Sequence, residues 1–155
     1  MNETDLRLLR VAIDVAARAR EHGNHPFGAI LADANGTILM EAENTVVTTG
    51  DATGHAETNL IRAASPVIPA ATLATSTLYT STEPCPMCAG AIFWSGVGRV
   101  VFALPQDGLY GLTGDSPHKL PLSCRKVFSH AGRTVEVEGP ALEPEALNVH
   151  LGFWS

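Results

Sequence analysis

The feature that most constrains this chain is a pair of short motifs 30 residues apart, His55-Ala56-Glu57 and Pro84-Cys85-Pro86-Met87-Cys88. They supply one imidazole, two thiolates and a carboxylate that need not bind metal. Cys85 and Cys88 stand three apart at the start of a predicted helix, so they share one face. Pro86 occupies a favoured first-turn position of that helix, and His55 lies in the first turn of the helix predicted over 55–64. Any fold that uses both motifs together must bring two helix N-termini to one point. Each such end carries partial positive charge, which favours thiolate over thiol. One imidazole and two thiolates leave a tetrahedral zinc with an open position, whereas structural zinc sites normally fill all four with protein groups. A lone Cys-x-x-Cys also fits a redox pair or half of a zinc ribbon, but no second Cys-x-x-Cys exists to complete a ribbon.

The rest of the pattern alternates helix and strand. Leu6, Leu9 and Ile13 recur at helical spacing over 4–22, and Gly23 ends the run. Segments 26–33 and 37–44 flank Asn35-Gly36, a strong hairpin signal, and 45–54 reads as a loop. Strands follow at 77–81 and 99–104, with a helix over 86–95 that Gly96 ends. The stretch 105–121 is rich in Gly and Pro and reads as irregular. A helix at 122–130, a strand at 134–138 and a helix at 143–151 complete the series. The fold class expected is α/β: one domain over 1–155, a three-layer α/β/α sandwich on a five-stranded mixed sheet.

Composition narrows the partners. A formal net charge of −6 lacks the basic footprint of a protein that grips phosphate backbones, which argues against nucleic acid and for a small molecule. No apolar run approaches the roughly 20 residues that span a bilayer. Three cysteines, two of them assigned to metal, fit a reducing cytoplasm; Cys124 reads as a buried thiol. His22, His25, His118, His130 and His150 show no metal spacing and read as surface or structural.

The His-x-Glu and Pro-Cys-x-x-Cys pair is the signature of zinc deaminases acting on nucleobases. With HPFGAIL (25–31), EAENTVVTTGDATGHAE (41–57) and LYTSTEPCPMCAGAIFW (78–94), the chain resembles the cytidine deaminase-like superfamily over nearly its whole length. Within it the chain is most similar to bacterial guanine deaminases, although tRNA adenosine deaminases share the HAE and EPCxMCAGA segments. The resemblance implies one Zn2+ per subunit on His55, Cys85 and Cys88, a homodimer, and Glu57 as the proton carrier. It assigns Asn44 and the Ala56 N–H to the substrate base, Phe27 and Trp94 to the pocket wall, and Asp115, with Asp107 behind it, to recognition or proton transfer. The tail, 143–155, is implied to act as a lid or a segment swapped between subunits. Trp154 and Phe153 would supply its aromatic cover, while the family's terminal tyrosine is absent. Glu143 either approaches the pocket or caps the last helix.

The implied reaction is hydrolytic deamination of a free nucleobase, with guanine giving xanthine and ammonia. Alternatives are adenosine in tRNA, and cytosine, a nucleoside or a triazine. From Val127 to Ser155 a single basic residue, Arg133, stands against Glu136, Glu138, Glu143 and Glu145, a poor match to a tRNA stem. A non-catalytic interaction subunit of this fold would be expected to have lost Glu57 or a ligand, and this chain retains all of them.

Overall fold

Asn2 and Asp5 cap each other at the start of the first helix: the Asn2 side chain accepts from the Asp5 N–H at 2.9 Å, and the Asp5 carboxylate accepts from the Asn2 N–H at 3.0 Å. From there the computed structural model describes residues 1–155. The elements are α1 (Glu3–Glu21), β1 (Gly28–Ala32), β2 (Ile38–Glu43), α2 (Val46–Thr49), α3 (Ala56–Ala64), α4 (Ala70–Ala74), β3 (Thr77–Thr82), α5 (Pro86–Ser95), β4 (Arg99–Leu104), α6 (Gln106–Thr113), α7 (Cys124–Phe128), β5 (Glu136–Glu138) and α8 (Glu143–Asn148).

The five strands form one mixed sheet in the order β2-β1-β3-β4-β5. β1 runs antiparallel to both β2 and β3, while β3, β4 and β5 are parallel. Side chains alternate faces along each strand. Ala29, Leu31, Leu78, Val100 and Phe102 pack with residues of α3, α5 and α7. Ile30, Ala32, Tyr79, Val101 and Ala103 pack with residues of α1 and α8. Helices therefore cover both faces, giving the expected three layers. β1 and β3 are buried along their full length, which explains the unbroken run of small and apolar residues in β1; β3 instead carries buried hydroxyls at Thr77, Thr80, Ser81 and Thr82.

The expected β1–β2 hairpin forms, through a five-residue loop, 33–37, and the strands shift register between Leu31 and Ala32. The Asp33 carboxylate accepts from the N–H groups of Asn35 and Thr37, at 2.9 and 3.0 Å. Gly36 takes the left-handed conformation (φ 79°) while Asn35 does not, and the turn closes with the register shift of a bulge. A short helix, α2, forms inside the expected 45–54 loop, and α4 lies where no element was expected. The stretch expected to be irregular over 105–121 carries α6 despite Gly108 and Gly111. No helix is long and apolar enough to cross a membrane.

The topology locates the site. Open α/β sheets leave a crevice beyond the carboxyl ends of strands where the connection pattern switches. β3 is the strand with an antiparallel neighbour on one side and a parallel one on the other, and the Cys85 turn follows directly from its carboxyl end. Behind β1, α1 lies against the sheet backbone: a Cβ added at Gly28 would sit 2.6 Å from the Ala12 carbonyl oxygen. Gly28→Ala is expected to lower stability by about 2 kcal/mol, because backbone must move to admit the methyl. An unchanged denaturant midpoint would show that α1 shifts without cost.

Candidate metal and substrate site

His55 and Cys85 are the N-cap residues of α3 and α5, both with extended backbone and neither making a side-chain cap bond. Cys88 follows within the first turn of α5 and is fully buried. The two helix starts face each other, so His55 Nδ1 lies 3.5 Å from Cys85 Sγ and 3.6 Å from Cys88 Sγ. All the ligand atoms of this trio fall within 4.8 Å of one another. Zinc bonds of about 2.0 Å to nitrogen and 2.3 Å to sulfur, at tetrahedral angles, put N and S about 3.5 Å apart. One ring nitrogen cannot aim a single proton at both sulfurs, whereas a central cation satisfies both contacts. The donor set therefore fits zinc, with one coordination position left open.

The charges agree with this. The Cys88 thiol beside it, and then the His55 ring, draw Cys85 down to about 4 against the burial that resists ionisation. Cys88 moves the opposite way, pushed up by its hydrogen bond to Cys85 and by burial. Without metal the two thiols share one negative charge, and a divalent cation is what ionises both. The Thr58 hydroxyl, 3.2 Å from Cys88 Sγ, supplies a further contact to that sulfur. Glu57 is 6% exposed, and burial, followed by the Cys85 thiolate, raises its carboxyl to about 7. A carboxyl in that range can both accept and return a proton near neutral pH.

These groups open into a cavity of about 450 Å³. His55, Glu57 and Cys85 form its floor, and Phe27 and Trp154 are in its wall. Asn44 and Ala56 do not themselves line the cavity, although their neighbours Val46, His55 and Glu57 do. Asn44 is buried beside α2: its Oδ1 accepts from the Val46 N–H at 3.1 Å, and its Nδ2 has no hydrogen bond within the chain. Ala56, fully buried between His55 and Glu57, is the first residue of α3, so its N–H has no intrahelical partner.

Other expected residues lie elsewhere. Trp94 is outside the cavity and 84% exposed, its ring packed edge-on against Phe93. The reason is helix geometry: α5 points its first turn at the ligands, and eight residues later the chain is about 12 Å away. Asp115 is exposed and does not line the cavity, although Thr113 and Ser116 on either side of it do. Asp107 accepts from the Gly108 N–H at 2.9 Å, and Glu143 is exposed in the first turn of α8, where a carboxylate favours the helix end.

Sequence reasoning passed over Tyr110, Lys119 and Glu83 and read His25 and His118 as surface or structural, yet all five line the cavity. Glu83 had a signal, since an acidic residue at a strand end beside a ligand turn needs a partner. Its carboxylate accepts from the N–H groups of Gln106 and Cys124, each at 3.1 Å. Gln106 Nε2 in turn donates to the carbonyls of Pro84 and Leu122, at 3.2 and 2.8 Å. Both ends of the 105–123 wall are thus tied to the Cys85 turn, which is why a Gly-rich stretch holds a helix there.

Behind the wall, His150 is 2% exposed. Its Nδ1 accepts from Trp154 Nε1 at 3.0 Å, which leaves the proton on Nε2, an atom without a partner. Burial, with the Arg20 charge adding to it, pushes His150 down to about 4. The unfolded chain takes up this proton near pH 6.5, before the folded one does. The stability involved is complete above about pH 6.5 and is lost as pH falls toward 4. His150→Phe should flatten that part of a plot of unfolding midpoint against pH; an unaltered slope would assign it to other groups. Zinc in a thousandfold excess over its Kd should stabilise the fold by about 4 kcal/mol, and chelation should remove that increment. A Tm indifferent to chelation would contradict the metal assignment.

Comparison with known proteins agrees with the geometry. Residues 2–104 match the model of the cytidine and deoxycytidylate deaminase zinc-binding region. The probable cytosine deaminase of Schizosaccharomyces pombe is 45% identical over 156 aligned residues, covering 99% of this chain and 94% of that protein. The guanine deaminase of Bacillus subtilis is 43% identical over 96 residues, 61% of each chain, and its X-ray structure superposes with a TM-score of 0.64 over 72% of this chain and 69% of that one. The tRNA-specific adenosine deaminase of Haemophilus influenzae is 40% identical over 117 residues, 76% of this chain and 67% of that one. The ligand trio, the buried carboxylate and these likenesses lead to one conclusion: the chain belongs to the cytidine and deoxycytidylate deaminase family of zinc-binding deaminases.

Proposed function

We propose that this protein hydrolytically deaminates a free nucleobase, with cytosine as the first substrate and guanine as the second reading. The observation that carries the proposal is the placement of Glu57, a buried carboxyl two residues from His55 that faces a cavity beside a three-ligand cluster. His55, Cys85 and Cys88 would hold zinc, whose Lewis acidity would make water nucleophilic near neutral pH. Glu57 takes a proton from the attacking water and passes it to the ring nitrogen next to the amino-bearing carbon. It then carries the remaining proton from the hydroxyl added at that carbon to the amino group, so that the carbonyl forms as the C–N bond breaks and ammonia leaves. The free Nδ2 of Asn44 donates to the edge of the base, its Oδ1 being held by Val46. The Ala56 N–H adds a backbone donor. Phe27 and Trp154 offer flat apolar faces and exclude water.

Two observations bear on the ring. Likeness to the probable cytosine deaminase runs through 99% of this chain, so it extends into the loop and tail that wall the cavity. Likeness to the guanine deaminase covers 61% of it. The guanine reading also relied on Asp115, which is exposed away from the cavity wall. A tRNA substrate has less support, because the net charge is −6. The proposed working unit is a homodimer in the cytoplasm, in which the second copy covers the exposed ring of Trp94.

The test is ammonia release by zinc-loaded protein from cytosine, guanine, adenine, their nucleosides and a tRNA anticodon stem-loop. Turnover of cytosine above all others is expected, with uracil as the other product. Guanine turnover would favour the second reading, and activity on the stem-loop alone would overturn both. Glu57→Gln should lower kcat about 10³-fold while retaining zinc, and substantial residual turnover would mean another group moves the proton. Asn44→Ala should cut kcat/KM by about 10- to 100-fold at unchanged zinc content, the scale of one hydrogen bond to a buried base edge.

A further inference from the structure

Residues 151–155, past α8, form no helix or strand, and one of them, Trp154, forms part of the cavity wall. Such a segment keeps its place only if something ties it down. Leu151, which opens it, is 58% exposed, so burial of that residue does not hold it. The tie comes from the far end of the molecule's first helix. Arg20, in the last turn of α1, donates through one nitrogen, Nη1, to the carbonyl oxygens of Val149 at 2.9 Å and Leu151 at 2.7 Å. These carbonyls stand just past the end of α8, where helix carbonyl groups lack intrahelical partners and a cation is favoured. The same guanidinium lies over the Phe153 ring, 5.4 Å from its centroid. A planar cation can hold two carbonyls and stack on a ring at once, which an ammonium cannot.

What Arg20 holds leads straight to the cavity. Phe153 packs edge-on against Trp154 at 4.7 Å, and Trp154 Nε1 donates to His150 at 3.0 Å. Trp154 then meets two cavity residues, His25 at 5.3 Å and Phe27 at 6.2 Å between ring centroids. Arg20 does not itself line the cavity.

We propose that Arg20 is a positioning residue: by fastening the 149–153 turn to α1 it sets Trp154 in the wall of the substrate cavity. Only the kinetic arm of its test rests on the base-deaminase reading.

The chain has two tryptophans, so Trp94→Phe leaves Trp154 as the sole indole. In that background, with zinc bound and no substrate, Arg20→Met keeps the aliphatic stem and removes both carbonyl bonds. Emission of Trp154 should move to longer wavelength and acrylamide quenching should rise, at unchanged zinc content. Arg20→Lys, which keeps the charge, should fall between parent and Arg20→Met, and serves if Arg20→Met does not fold. With whichever base the parent turns over, Arg20→Met should raise KM about tenfold and change kcat little. Because Arg20 acts through Trp154, the double variant Arg20→Met/Trp154→Ala should show the KM of Trp154→Ala alone. Unchanged quenching would overturn the proposal, as would an unchanged KM or additive effects on KM in the double variant. If the parent turns over no base, the function proposed above fails while the fluorescence arm still decides the role of Arg20.

Discussion

The meeting of two helix N-termini at one imidazole and two thiols is the constraint on which the rest of the structure depends. Close approach of three ligand atoms to within 4.8 Å fixes the starts of α3 and α5 relative to one another. Those helices lie on one face of the sheet, with their buried residues Leu60, Ile61, Ala89 and Ile92 in a single core. The sheet in turn must present the carboxyl end of β3 to the same point. Burial of apolar side chains drives this packing, but the ligand geometry selects which packing is useful.

Polar groups next to the ligands are held with few loose ends. Glu83 accepts two backbone N–H groups and fastens the 105–123 wall, and Gln106 completes the tie through two carbonyls. On the opposite side Asn24 serves a similar purpose: its Oδ1 accepts from the N–H groups of Val47 and Thr48, at 3.1 and 3.0 Å, and so holds α2 beside Asn44. Against this background Glu57 stands out as a buried carboxyl whose proton affinity is raised. A buried carboxyl placed beside a site for a divalent cation is suited to moving protons and adds little to stability.

The legible parts of the sequence were those where one physical demand acts on neighbouring residues. The metal trio could be read because thiolates three apart at a helix start share a face, and β3 because Thr and Tyr favour strands over 77–81. The β1–β2 hairpin was legible from Asn35-Gly36, whereas the form of its loop is set by Asp33, whose carboxylate accepts from two N–H groups. α6 was missed because Gly108 and Gly111 weaken a helix locally, and the groups that stabilise it, Glu83 and the Pro84 carbonyl, come from more than 20 residues away. Trp94 was assigned to the pocket by likeness of type, and the length of α5 carries it to the far end. His150, Arg20 and His25 gave no signal, since their roles arise only when the tail folds back on α1.

The most direct test of this account is the coordination shell of zinc in the purified protein, read by X-ray absorption. Two sulfur neighbours at about 2.3 Å and two lighter neighbours near 2.0–2.1 Å are expected, one of them the His55 nitrogen and the other exchangeable with solvent or inhibitor. A shell with three or more sulfurs, or one indifferent to inhibitor and closed by a fourth protein group, would make the site structural and contradict the hydrolytic role argued for Glu57.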